Sequence, residues 1–248
     1  MNQPIGRGPR VAFFGGSFDP PHLGHLAVAR AARAALNLDS VLFAPVGAQP
    51  LKPQGSTARF ADRLAMTRLA IGTEEGFAVS LADAPNPSDA PNYTLETLLR
   101  LRAELPQEGV LFCLMGADSF AGLRGWHRGA EIPFVTPLVV ASRPGERLDD
   151  LRAALPEGLG VGPVLEAEGR QPDVSQPASS GEVEMRRYLL SNRAGEEAPF
   201  YLLPGLEVGI SASAIRQQVR AASGSQTPVD AVLPEAVSAY IRAHGLYR

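Results

Sequence analysis

At 248 residues, 45% of them hydrophobic, the chain has enough apolar material for the core of one large α/β domain, and intrinsic disorder is excluded as its default state. The formal charge of -3 and the pI near 5.9 provide no broad basic field. That argues against nucleic acid and membrane surfaces as partners but leaves room for a local site that takes a nucleotide-sized anion. Cys113 is the only cysteine, so no intrachain disulfide forms, and its place in the apolar run 110–115 reads as a small buried hydrophobe. The polar leader 1–10 lacks an apolar signal core and no run approaches bilayer length, so a reducing, cytoplasmic setting is expected.

Val11–Phe14 is a continuous apolar run closed by Gly15-Gly16, the pattern of a strand buried in a parallel sheet. Beyond it, Val28, Ala32, Ala35 and Leu36 recur at helical spacing while Arg30 and Arg33 fall elsewhere, which puts His22 and His25 at the start of an amphipathic helix. With the turn already helical at Leu23, both imidazoles face the same side, beside backbone N–H groups that lack intrahelical partners. That is an anion site with two titratable donors, and the glycines let the main chain approach a phosphate closely. Singly, Gly-Gly after a strand is a turn and a histidine near a helix start is a cap or a surface residue. The succession of strand, glycines, Asp-Pro, His-x-Gly-His and helix carries more than its parts.

Ser40–Pro45 reads as a second strand, followed by a loop, 47–53, that holds Lys52, the only lysine of the chain. A compact ammonium beside a phosphate would explain that exception to an otherwise arginine-only usage. Residues 57–72 have the look of a capped helix with Phe60, Leu64 and Ile71 toward the core and Arg59, Arg63 and Arg68 on a solvated face. A third strand is expected over 77–81, then a turn-rich loop through Asn92-Tyr-Thr94, with Thr94 as cap of a helix over 95–104. The central strand 110–115 ends in Gly116-Ala-Asp118-Ser119, and an acid at that edge commonly meets a ribose hydroxyl. Trp126, the only tryptophan, reads either as a packing residue or as a stacking surface. Further strands are expected over 136–141 and 200–204 and a helix over 148–155. Between them, about 163–199 reads as a long surface excursion that carries one short element at 185–190. Shortening it between Gly169 and Ala198 is therefore expected to preserve activity. Ser211 or Ser213 caps a further helix with Arg216 one turn in, suited to the outer phosphates of a nucleotide. A last helix over 233–244 buries Val237, Tyr240 and Ile241.

Gly15-Gly-Ser-Phe-Asp-Pro-Pro-His-Leu-Gly-His-Leu26, Asn92-Tyr-Thr94 with Thr97-Leu98, Gly116-Ala-Asp-Ser119 with Trp126, Ser142-Arg-Pro-Gly145, Ile210-Ser-Ala-Ser-Ala-Ile-Arg216 and the terminal Tyr240-Ile-Arg-Ala-His-Gly-Leu-Tyr247 together resemble the bacterial nicotinate-nucleotide adenylyltransferases. The resemblance spans nearly the whole chain. It implies a single α/β domain over 1–248, with a Rossmann-like parallel sheet of the nucleotidyltransferase type, helices on both faces and a helical part from about 211. The activity it implies is transfer of AMP from ATP to nicotinate mononucleotide, giving deamido-NAD and pyrophosphate, with Mg²⁺ carried by ATP and no metal site of the protein's own. Carried onto this sequence, Gly15, Gly16, Ser17 and Phe18 would offer main-chain amides to the reacting phosphates and His22 and His25 would contact ATP. Ser211, Ser213 and Arg216 would hold the departing pyrophosphate, and His22, His25 and Arg216 would form the catalytic set. On the mononucleotide side stand Asp19, Lys52, Thr94, Asp118 and Trp126. The chain departs from the family's pattern at Ala212-Ser213, at Asn92 and at Leu51-Lys52. The nearest alternatives are an adenylyltransferase for nicotinamide mononucleotide or phosphopantetheine, and a catalytically silent nucleotide-binding regulator. A homo-oligomer stays open.

Overall fold

The computed structural model describes residues 8–51, 55–88, 90–142, 148–165, 185–203, 211–221 and 228–248. Among them, eight strands build one sheet: β1 (Arg10–Gly16), β2 (Ser40–Pro45), β3 (Phe77–Val79), β4 (Val110–Gly116), β5 (Leu138–Ala141), β6 (Gly160–Val161), β7 (Arg186–Ser191) and β8 (Glu197–Leu203). Their order is β3-β2-β1-β4-β5-β8-β7-β6. From β3 to β8 every neighbouring pair is parallel, while β7 and β6 close the far edge antiparallel. β1 lies between β2 and β4, with Phe13 beside both Leu42 and Cys113. The chain thus winds outward in both directions from β1 and β4, and an open α/β sheet leaves a crevice at the carboxyl ends of such a pair.

The helices are α1 (Leu23–Leu36), α2 (Phe60–Ile71), α3 (Thr94–Glu104), α4 (Ala117–Ala121), α5 (Ile132–Val135), α6 (Leu148–Ala154), α7 (Ala212–Ala221) and α8 (Glu235–Ala243). Successive residues of a strand point to opposite faces. Val11 and Phe13 accordingly join Leu111, Cys113 and Val140 in one core, under Leu95 and Leu98 of α3, Phe120 of α4 and Leu151 of α6. Ala12 and Phe14 join Val41, Phe43 and Val139 in the other, under Leu26, Ala29 and Ala32 of α1. Helices therefore cover both faces of a Rossmann-like sheet, as expected. A third core sets Ile215 of α7 and Val237 and Ile241 of α8 against Met66 and Ala70 of α2, with Tyr247 beside them. No helix among the described residues is long and apolar enough to cross a membrane.

Three local expectations change. α2 begins at Phe60, after Thr57 and Ala58 have turned their amides to Asp19. Tyr93, not Thr94, is the N-cap of α3, and Thr94 is its first helical residue. Part of the segment read as a surface excursion is core: β7 pairs along β8, and Tyr188 and Leu190 are 1% and 0% exposed. The short element expected at 185–190 is this strand, but its place in the core is not legible, because six residues with only two buried side chains form too short a period to show which face is covered. A deletion spanning Gly169 to Ala198 would remove β7 and leave β8 an unpaired edge, so loss of folded protein is expected instead of the tolerance that composition suggests. Tyr188→Ala alone is expected to cost about 3 kcal/mol in a urea titration. A change below about 1 kcal/mol would show that this end of the sheet contributes little.

Candidate active site

The carboxyl ends of β1 and β4 open into two clefts with a common wall. The first, of about 410 Å³, lies between the Gly15–Phe18 turn, the start of α1, Asp118 of α4 and the start of α7. His22 is the N-cap of α1, and its amide donates to Nδ1 of His25 at 3.1 Å, with the two rings 3.7 Å apart between centroids. Because Nδ1 accepts, the proton of the neutral His25 ring belongs on Nε2. The ring is held edge-on by Phe18 at 5.0 Å and at a tilt by Phe14 at 6.0 Å. One helix-start amide is already engaged, since that of Leu23 donates to the Val232 carbonyl at 3.0 Å.

Across the cleft, the Ser211 hydroxyl caps α7 by accepting from the Ala214 amide at 3.1 Å. Arg216 follows one turn later. Its Nη1 donates to the Asp19 carbonyl at 2.7 Å and its Nη2 to Oγ of Ser213 at 3.1 Å, and the side chain, 22% exposed, lines the cleft. Ser213 thereby orients the guanidinium.

The second cleft, of about 610 Å³, shares Gly15, Gly16, Ser17, Asp118 and Ser119 with the first. Thr94 at the amino end of α3 and the ring of Trp126 wall it, and Trp126 also packs on the core beneath. Tyr93 and His127 stack 4.3 Å apart at its rim. Asn92 serves the loop: its Oδ1 accepts from the Ala48 amide at 3.0 Å and its Nδ2 donates to the Ala84 carbonyl at 2.9 Å. On the floor, the buried Asp83 accepts from the Thr97 hydroxyl at 2.7 Å, and burial pushes its carboxyl above the usual range.

The structure thus brings Gly15, Gly16, Ser17, Phe18, His22, His25, Ser211, Ser213 and Arg216 to the first cleft, and Thr94 and Trp126 to the second, with Asp118 between them. Lys52 lies outside the described residues. Asp19 is a correction. It stands on the first cleft, not the second; the residue is 3% exposed and its carboxylate is taken up by the Thr57 and Ala58 amides and the Tyr247 hydroxyl. Phe18, at φ 45°, has its ring in the core, so only its backbone can serve a ligand. The glycines answer crowding as well as ligand approach, since a Cβ on Gly15 would sit 2.7 Å from the Phe13 ring and one on Gly16 3.3 Å from that of Phe18.

Two residues of the site escape a reading by residue type. Arg63, expected on a solvated face, is 2% exposed and donates to the carbonyls of Ser17 and Val46 at 2.7 Å and of Ala58 at 3.3 Å. Its spacing to Met66, Thr67 and Ala70 places it on the buried face of α2, so periodicity held a signal that its charge obscured. Tyr247 reaches Asp19 from 228 residues away; the terminal run Tyr240–Tyr247 belongs to the family resemblance, but no local pattern points to this partner.

Residues 13–218 match the profile of the family described as cytidylyltransferase-like. A probable nicotinate-nucleotide adenylyltransferase of Gloeobacter violaceus is 35% identical over 240 residues, which cover 97% of this chain and 97% of that protein. One of Stenotrophomonas maltophilia is 39% identical over 240 residues, 95% of this chain and 96% of that protein. The chain belongs to the nicotinate-nucleotide adenylyltransferase family. The structure of the Plasmodium falciparum nicotinic acid mononucleotide adenylyltransferase complexed with NaAD superposes with a TM-score of 0.63 over 96% of this chain and 97% of that one, at 13% identity. That is a likeness of fold.

In this adenylyltransferase both histidines of the first cleft are neutral at pH 7. Burial lowers His22 to about 4, and burial together with the neighbouring His22 holds His25 well below its ordinary value. Below pH 6.5 the unfolded chain takes up a proton on residue 22 that the folded chain refuses until about pH 4. The unfolded state then binds more protons, so stability is intact above about pH 6.5 and falls as the pH drops toward 4. The loss for His22 is at most about 3 kcal/mol. His22→Asn is expected to reduce the fall of the urea midpoint over that window, His25 supplying the remainder, and an unchanged pH dependence would exclude His22 as a source.

Proposed function

We infer that the chain transfers the adenylyl group of ATP to nicotinate mononucleotide, giving deamido-NAD and pyrophosphate, a step of NAD biosynthesis that we place in the cytoplasm. The observation that carries this reading is the pair of clefts meeting along Gly15–Ser17. Two nucleotides bound on either side direct their phosphates at each other there. ATP occupies the first cleft, with its triphosphate between the His22–His25 pair and Arg216. The mononucleotide occupies the second, with its pyridine ring on Trp126 and its phosphate at the glycine turn. Asp118, on the wall between them, takes a ribose hydroxyl. A phosphate oxygen of the mononucleotide attacks the α-phosphorus of ATP as the bond to the β-phosphate oxygen breaks, and that oxygen leaves with the electron pair on pyrophosphate. No covalent intermediate with the protein is needed. The residues align the two groups and offset charge that develops in the transition state, through Nε2–H of His25 and the guanidinium of Arg216. Mg²⁺ is expected to arrive on ATP as part of the substrate.

The acid and the amide of the mononucleotide separate this reading from its nearest neighbour. Thr94 starts an α3 of 11 residues whose amino end opens into the second cleft, where unpaired N–H groups and the positive end of the helix dipole favour an anion. A carboxylate accepts from two such donors, whereas a carboxamide turns its NH₂ toward one of them. A hydrogen bond to a charged group contributes about 1.5 to 3 kcal/mol, so the acid is expected to be preferred in kcat/KM by roughly tenfold to a hundredfold. Side-by-side kinetics at fixed ATP and Mg²⁺ read the ratio. Equal or better use of the amide would overturn the nicotinate assignment and leave adenylyl transfer standing, whereas failure to release pyrophosphate with either would overturn both.

A further inference from the structure

We propose that Tyr247 is a positioning residue for Arg216, acting through Asp19. The inference rests on the adenylyl-transfer reading above. The Tyr247 hydroxyl donates to Oδ1 of Asp19 at 2.7 Å, and the Thr57 and Ala58 amides donate to the same carboxylate at 2.6 and 3.1 Å. The carbonyl of Asp19 in turn accepts from Nη1 of Arg216, while the carboxylate Oδ2 stands 4.0 Å from that nitrogen. Arg216 is thus hydrogen-bonded to the backbone of residue 19 and only in long ion-pair contact with its carboxylate. A closer, hydrogen-bonded ion pair would be the stronger contact, and the competing donors to the carboxylate disfavour it. Tyr247 is 5% exposed and its backbone sits at φ 65°, a region that a bulky residue seldom adopts unless its surroundings impose it. Burial and the Asp19 carboxylate raise its phenol, which therefore stays a donor throughout the working pH range.

The consequence is specific to one end of the reaction. Without the phenolic donor, Asp19 draws the guanidinium of Arg216 toward itself and away from the departing pyrophosphate. Tyr247→Phe keeps the ring in the third core and removes only the hydroxyl. It is expected to lower kcat/KM for ATP about tenfold, as befits a misplaced charged hydrogen bond, with the KM for the mononucleotide unchanged. In an Arg216→Ala background the same substitution is expected to change turnover by less than about twofold, because residues that act through one another are not additive. Rates are taken per folded molecule, with the fraction folded read by circular dichroism. A tenfold loss in both backgrounds, or an unchanged kcat/KM for ATP in Tyr247→Phe, overturns the proposal. The unsubstituted chain in the same assay separates this from the function itself: if it transfers no adenylyl group the functional reading fails, and if it turns over normally only the role of Tyr247 is in question.

Discussion

Replacement of His25 by alanine is expected to lower turnover by roughly a hundredfold or more and leave the fold intact, since one donor aimed at transition-state charge is typically worth about 3 kcal/mol. The geometry supports a donor role. Nδ1 of His25 is occupied by the His22 amide, which leaves Nε2–H as the group available to a ligand. The rings of Phe14 and Phe18 hold that imidazole in one orientation, so little reorganisation accompanies the reaction. Structurally the substitution leaves one helix-start amide without its side-chain acceptor, a cost of about 1 kcal/mol. A single-turnover measurement on the folded variant decides the matter, and a rate near that of the unsubstituted chain would remove His25 from the catalytic set.

A large effect on stability is also expected at Arg63. Its guanidinium is the donor that joins the carbonyls of Ser17, Val46 and Ala58, and it lies near enough to Asp19 for the two charges to interact. Arg63→Met keeps much of the side chain's volume but leaves three carbonyls without their donor. At about 1 kcal/mol for each orphaned group, a loss of about 3 kcal/mol is expected, a large fraction of the 5 to 15 kcal/mol typical of a native protein. Turnover should fall as well, because Ser17 lies on the wall common to both clefts. Arg68→Met, on the exposed side of the same helix, serves as the control and is expected to stay within about 0.5 kcal/mol. Equal urea midpoints for the two variants would show that the buried guanidinium is not what holds the turn.

The sequence by itself determined the parts of this protein whose signals are local. The apolar runs of β1, β2, β4 and β5 announce buried parallel strands, because a strand covered on both faces needs no polar alternation. The spacing of Val28, Ala32 and Leu36 announces α1, and the residues just before it place His22 and His25 at its start. What tertiary structure decided are the relations between distant segments. Asp19 reads as a ligand contact until Thr57, Ala58 and Tyr247 are seen to consume its carboxylate. Arg63 reads as solvated because a guanidinium is costly to bury, and only the convergence of three carbonyls makes the buried position favourable. β7 shows in the sequence only as a short element of unassigned type at 185–190, and β8 supplies the edge that orders it in the sheet. The joining of two clefts along one glycine turn follows from β1 and β4 lying side by side at the centre of the sheet. Hydrogen-bond partners 38 and 228 residues apart leave no periodic trace, since periodicity reports only which face a residue takes on its own element and not what the fold brings to meet it.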